Sequence, residues 1–298
     1  MCNGTKESRQ LIGDPPEPPV RHDGAMTLRV WGARGGLPTP GPGTVRYGGN
    51  TLCLELRCGP HLLMLDGGSG ARLFGSALMA TGVPIDADIL MSHTHLDHVC
   101  GLPFFGPMYD PQARLCFWGG HMPPPEGIAG ALRQSWQAPL MPDLDKAFRA
   151  QITFRDFLPG TGLEPHPGLR VATHALNHPG GAVGYRIAWD DKSVCYITDI
   201  EHLPHGMDEG LVRFVSGTNL LIYDASYTDD EYAARIGLGH STWRVAADVA
   251  DAAGVETLML FHHDPSHDDA AMDAIAAAVA ARRPGSLVAM EGMLLPVA

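Results

Sequence analysis

The amino-acid sequence predicts an α/β protein, a four-layer αββα sandwich in which two sheets pack between outer helices. Three observations carry this. Short β-rich runs follow one another without helices between them, and helical runs then intervene, a mixture that suits two packed sheets better than a doubly wound one. The last helical run, Asp268–Arg282, sets Met272, Ile275 and Val279 on one face, as a helix packed on a sheet does. Of the 298 residues, 45% are hydrophobic and 18% charged, which supplies a sizeable core and excludes wholesale disorder.

Taken in order, residues 1–25 read as a tail, because Asp14-Pro15-Pro16-Glu17-Pro18-Pro19 sustains neither a helix nor a central strand. Residues 26–298 read as one domain. Strands are expected over 27–31, 51–57, 61–65, 87–92, 114–118, 152–157, 170–174, 184–189, 193–198, 220–224 and 256–261, each an apolar or β-branched run bounded by turn-forming residues. Helices are expected over 71–80, 126–137, 242–253 and 268–282. Ser241 or Thr242 would cap the third of these, and Gly254 would end it. Met122-Pro123-Pro124-Pro125 reads as an exposed excursion, a surface loop or a lid.

The charge balance narrows the partners. Thirty-three acidic residues against 21 basic ones give a net charge of −12, which disfavours long nucleic acids. No apolar run reaches the length of a membrane helix, and the N-terminal stretch lacks the apolar core of a secretory signal, so a cytoplasmic location is expected. Six cysteines without CxxC spacing indicate neither a disulfide framework nor a thiolate metal site.

The 15 histidines carry the chemistry. Ile89-Leu90-Met91-Ser92 runs straight into His93-Thr94-His95-Leu96-Asp97-His98. In extended chain alternate residues point the same way, so His93 and His95 can reach one metal; a turn into a helix would swing Asp97 and His98 toward a second position. Imidazoles and a carboxylate suit Zn²⁺ and related divalent ions.

At these residues the chain resembles the metallo-β-lactamase superfamily, whose defining motif is this run after a strand. Leu65-Asp66-Gly67-Gly68-Ser69-Gly70 resembles its first motif, Asn177-His178-Pro179-Gly180-Gly181 its third, Tyr196-Ile197-Thr198-Asp199 its fourth, and Leu258–Asp264, containing His262 and His263, its fifth. The resemblance implies the metallo-β-lactamase fold and a dinuclear site. His93, His95 and His178 would hold one ion; Asp97, His98 and one of His262 or His263 the other; Asp199 would bridge them. The family's pattern favours His262, with Asp264 as its partner and His263 pointing away. The implied cofactors are two divalent ions, zinc or manganese.

Gly239-His240-Ser241-Thr242 before a helix resembles the phosphodiesterase branch, which includes RNase Z and cyclic phosphodiesterases. There His240 would protonate the leaving oxygen, with Asp224 of Tyr223-Asp224-Ala225-Ser226 orienting it. Trp31–Pro38 and Tyr47–Thr51 also resemble this branch; Arg34 is either an anion contact or part of a structural turn. The chain has no long basic insertion of the kind RNase Z uses to grip tRNA. The resemblance thus implies a metal-dependent hydrolase with His240 and Asp97 as catalytic residues, acting through metal-activated hydroxide on a cyclic phosphate, cyclic nucleotide or short phosphodiester. A carbonyl hydrolase (lactonase, thioesterase or β-lactamase) on the same scaffold is the first alternative, and a non-enzymatic metal or redox sensor the second. The expected partner is a small anionic substrate; a homodimer is compatible with the sequence without being implied by it.

Overall fold

The computed structural model describes residues 25–123 and 125–298. The tail expected over 1–25 therefore lies, except for Ala25, outside the described residues. From Met26 onward the chain forms β1 (Met26–Gly32), β2 (Cys53–Cys58), β3 (His61–Leu65), α1 (Ala71–Ala80), β4 (Asp86–Met91), α2 (Leu96–Val99), β5 (Arg114–Gly119), α3 (Gly127–Ser135) and β6 (Gln151–Asp156). There follow β7 (Gly162–His166), β8 (Leu169–Leu176), β9 (Ala182–Trp189), β10 (Lys192–Ile197), α4 (Glu209–Val215), β11 (Leu220–Asp224), α5 (Asp229–Tyr232), α6 (Trp243–Ala252), β12 (Thr257–Phe261), α7 (Asp269–Arg282), β13 (Leu287–Val288) and β14 (Leu294–Pro296).

Two seven-stranded sheets result, in the orders β14-β1-β2-β3-β4-β5-β6 and β13-β12-β11-β10-β9-β8-β7. Each is half antiparallel and half parallel. The parallel halves are β3-β4-β5-β6 and β10-β11-β12-β13. The expected αββα sandwich is the observed one, and side-chain alternation shows why. On β3, Leu63 and Leu65 enter the core between the sheets, while Leu62 and Met64 join Phe74 and Leu78 of α1. On β11 and β12, Leu220, Ile222, Met259 and Phe261 face the same central core, while Leu221, Tyr223, Leu258 and Leu260 meet α6 and α7. These strands are buried on both faces, so their sequences are unbroken apolar runs rather than alternating ones.

The helix signals act locally as expected. Thr242 caps α6 through its side chain, which accepts from Val245 N–H at 3.3 Å, and Gly254 follows the helix at φ +60°. Met272, Ile275 and Val279 are the apolar contacts of α7 with the sheet. Pro123 and Pro125 are exposed, and their stretch leads directly into α3. The described cysteines are free, and among the described residues no helix is long and apolar enough to cross a membrane.

Of the two readings of Arg34, the structure bears out the turn. The side chain is fully buried; Nε donates to the Gly48 carbonyl at 2.8 Å, and Nη1 to the carbonyls of Asp264 and His267. The guanidinium ties the turn after β1 to the chain after β12. Arg34→Ala strands these carbonyls, so it is expected to cost on the order of 3 kcal/mol, read as a lower urea midpoint with the slope unchanged.

Candidate metal centre

The parallel strands deliver the site. In open α/β sheets, ligands collect beyond the carboxyl ends of the strands, and here Asp66, His93, Asp199, Asp224 and His262 lie at the carboxyl ends of β3, β4, β10, β11 and β12 or within two residues of them. Three of these residues bend sharply as they leave the strand. Asp66, Asp199 and His262 have φ of 55°, 54° and 61°, the left-handed region that a non-glycine residue enters at a cost of about 1–2 kcal/mol. The bend turns each side chain across the strand end instead of along it. The imidazole of His262 leaves no room for a side chain at Gly35, where an added Cβ would lie 2.0 Å from the ring. The backbone therefore approaches closely, and Gly36 N–H donates to Asp97 Oδ2 at 2.7 Å. Gly35 and Gly36 serve this approach, whereas Gly32 lies against the Thr51 carbonyl.

The residues singled out in the sequence converge. His93, His95 and His178 bring ligand atoms within 4.8 Å of one another, as do Asp97, His98 and His262. Asp199 lies between the two groups. Its Oδ1 is 3.2 Å from His98 Nε2 and 3.3 Å from His262 Nε2; its Oδ2 is 3.7 Å from both His93 Nε2 and His178 Nε2. Asp97 Oδ2 completes the second group, 3.3 Å from His262 Nε2. The Nε2 atoms of His93, His98 and His262 are buried with no hydrogen-bond partner. Buried polar atoms are seldom left so, and aligned on two carboxylates they form a donor set that fits divalent cations.

The opposite edge of each ring is held. His98 Nδ1 meets Asp66 Oδ2 at 2.8 Å, His262 Nδ1 meets the Ser226 hydroxyl at 2.8 Å, and His178 Nδ1 meets the Gly239 carbonyl at 2.8 Å. Such contacts set which ring nitrogen is offered to a metal. Ser92 joins the network: its hydroxyl donates to Asp66 and lies 3.1 Å from His93 Nδ1. Burial pushes His93, His95 and His178 below the usual histidine range, which favours the neutral ring a metal needs. Burial acts on His98 and His262 too, but the carboxylates of Asp199 and Asp97 overcome it and raise both well above that range.

His240 sits beside both groups, outside the two triads. Its Nδ1 is 2.9 Å from Asp224 Oδ2, and its ring centroid is 4.5 Å from that of His262. Asp224 is fully buried and fixed by the Ser226 N–H and hydroxyl at 3.0 and 2.8 Å. With Nδ1 turned to Asp224, Nε2 is the nitrogen available to a substrate.

Two features differ from the sequence reading. Asp264 is not the partner of His262: its carboxylate accepts from Ser266 N–H and pairs with Arg235, and the left-handed turn at His262 carries the ring to Ser226 instead. His263 does leave the site, its Nε2–H donating to the Ala289 carbonyl at 2.8 Å; the turn at His262, rather than strand alternation, separates the two. Sequence reasoning missed His121, whose Nε2 lies 3.0 Å from the hydroxyl of Thr94, the residue between His93 and His95. Burial pushes its ring down to about 4. Its place just past the end of β5, like the other site residues past their strands, was the available signal.

The chain is 24% identical to a ribonuclease Z from Myxococcus xanthus over 266 residues, which cover 74% of this chain and 83% of that protein. It shares its fold with the metallo-beta-lactamase fold protein YhfI from Bacillus subtilis (TM-score 0.68, 18% identity, 92% of this chain and 100% of that one). A diphosphatase from the PhnP family shares it too (TM-score 0.65, 17% identity, 91% and 97%). Residues 64–263, from β3 to the end of the site, match the model of the beta-lactamase superfamily domain, and with that match spanning well over half its length the chain belongs to the beta-lactamase superfamily.

Proposed function

We propose that the protein is a metal-dependent phosphodiesterase acting on a small cyclic phosphate, cyclic nucleotide or short phosphodiester. The observation that carries the reading is His240 with Asp224: a histidine held by a buried carboxylate, next to both donor groups yet outside them. His93, His95 and His178 would hold one ion, Asp97, His98 and His262 the second, with Asp199 between them; zinc or manganese suits this set. When bound, the ions supply hydroxide near neutral pH and neutralise the charge of the phosphoryl oxygens. The chain's own residues do the rest. Gly36 N–H holds Asp97, Asp66 and Ser226 hold the rings of His98 and His262, and Asp224 holds His240 within reach of the departing ester oxygen, to which it passes a proton as the phosphorus–oxygen bond breaks.

Relatives named ribonuclease Z and a fold neighbour titled a diphosphatase support phosphorus rather than carbonyl chemistry. A small substrate is supported by the net charge of −12, which repels a long polyanion while barely hindering a small one.

The test is a substrate panel on protein loaded with zinc or manganese. Bis(p-nitrophenyl) phosphate and at least one cyclic phosphate or cyclic nucleotide should turn over, with weak cleavage of pre-tRNA and little of a cephalosporin. Turnover of a lactone or thioester with inert phosphodiesters would replace the proposal with the carbonyl-hydrolase reading.

A further inference from the structure

Residues 228–241 form a strap beside the centre, closed at its base by the Tyr227 N–H to Ser241 carbonyl bond at 3.1 Å. Its tip, Gly237-Leu238-Gly239, carries glycines at φ +91° and +88° and has little intrinsic rigidity. Yet two parts of the centre depend on where that tip lies. The Gly239 carbonyl is the 2.8 Å partner of His178 Nδ1, and His240 follows immediately. The fit is close: a Cβ at Gly239 would sit 2.3 Å from His178 Nδ1.

One carboxylate holds the tip. Glu201 Oε2 accepts from Gly239 N–H at 2.8 Å and Gly237 N–H at 3.0 Å; Oε1 accepts from Gly237 N–H at 2.8 Å and from the Tyr232 hydroxyl at 3.4 Å. Glu201 is itself tied to the residue before His178. Its N–H donates to the Asn177 carbonyl at 2.8 Å, and Asn177 Nδ2 donates back to the Glu201 carbonyl at 2.9 Å. Charge-assisted bonds from a carboxylate to backbone N–H groups are roughly twice as strong as neutral ones. Glu201 therefore grips the chain on both sides of the His178 ring, from Asn177 behind it and from Gly239 at its Nδ1.

The geometry points to Glu201 as a positioning residue that couples the two halves of the reaction: it orients His178 toward its metal and sets the register of His240 at the leaving group. The inference rests on the roles proposed above for those histidines.

The test compares Glu201→Gln, which keeps the shape, with Glu201→Ala. In zinc titrations of chelator-stripped protein against a chromophoric competitor, both variants should bind the ion held through His178 about 10–100-fold more weakly, as loss of a ligand's supporting partner does. Turnover of a 2′,3′-cyclic nucleotide, whose leaving alkoxide needs a proton, should fall at least about tenfold further than that of bis(p-nitrophenyl) phosphate, with glutamine milder than alanine. A purely structural role would lower the melting midpoint and both turnovers together, leaving zinc affinity and the substrate ratio at their wild-type values, and that result overturns the inference. If the unaltered protein proves inert toward phosphodiesters, the proposed function fails, and the zinc titration alone decides the role of Glu201.

Discussion

Replacing Asp199 is expected to abolish turnover and to reduce the bound metal from more than one equivalent to one or fewer. The two carboxylate oxygens point in different directions, Oδ1 to His98 and His262, Oδ2 to His93 and His178. No other carboxylate in the centre faces both groups, because Asp97 approaches only His98 and His262. Asp199 is fully buried, and although burial raises its pKa, His262, His98 and His93 hold it well below the usual carboxylate range. Asparagine is the sharper substitution, since it tolerates the left-handed φ of 54° that alanine would strain. Asp199→Asn keeps the bend and the size and removes the charge. Loss of rate should reach at least about 10²–10³, and elemental analysis of protein purified without chelator should show the missing ion. Full activity with unchanged metal content would remove Asp199 from the bridging position and with it the dinuclear reading.

The fold was legible where strands are apolar throughout and doubly buried. Runs such as Leu220–Asp224 and Thr257–Phe261 have no alternation to read, yet their length and flanking turns mark them as strands, and the helices beside them carry ordinary caps. What escaped is short or lies at an edge. β13 and β14 have two and three residues, too few for any period. β7 contains Pro165, lies at the end of its sheet, and pairs only with β8, so its identity comes from a neighbour and not from its own residues. α4 is seven residues long, but Asp208 caps it by accepting from Gly210 and Leu211 N–H, a signal the sequence did contain.

The site was legible wherever a strand end coincided with a histidine or aspartate, as at His93, Asp199 and His262. It was illegible where the partner comes from elsewhere in the chain. Ser226 and His262 are 36 residues apart, and the contact exists because β11 and β12 are neighbours in register, Asp224 opposite Phe261. Asp224 meets His240 from across a loop because the Tyr227–Thr242 bridge and the Tyr227 N–H to Ser241 carbonyl bond return the chain to the end of β11. Proximity along the chain instead suggested Asp264 as the partner of His262, and the left-handed backbone at His262, invisible in the sequence, defeats it.

His240→Ala should separate proton transfer from metal binding. His240 is partly accessible, its side chain 17% exposed beside an Asp224 that is wholly buried, as a group that must meet a substrate has to be. Its Nδ1 lies 2.9 Å from Asp224 but 3.8 Å from Asp199, so its bond is to the carboxylate outside the ligand set. Removing the ring therefore leaves both donor triads intact, and metal content should stay at the unaltered level. Turnover of a substrate with an alkoxide leaving group should fall roughly 10²–10⁴-fold, the usual worth of a placed acid, or about 3–5 kcal/mol of transition-state stabilisation. With p-nitrophenolate leaving, little protonation is needed and the loss should be far smaller. Asp224→Asn should show the same leaving-group pattern in milder form, because the ring remains while its orientation is weakened. The opposing case is specific. His240 also lies within ligand distance of His178 and Asp199, and of Asp224 and His262. If His240→Ala strips an ion and slows both kinds of substrate equally, the residue is a ligand, and the proton for the leaving oxygen must come from another source.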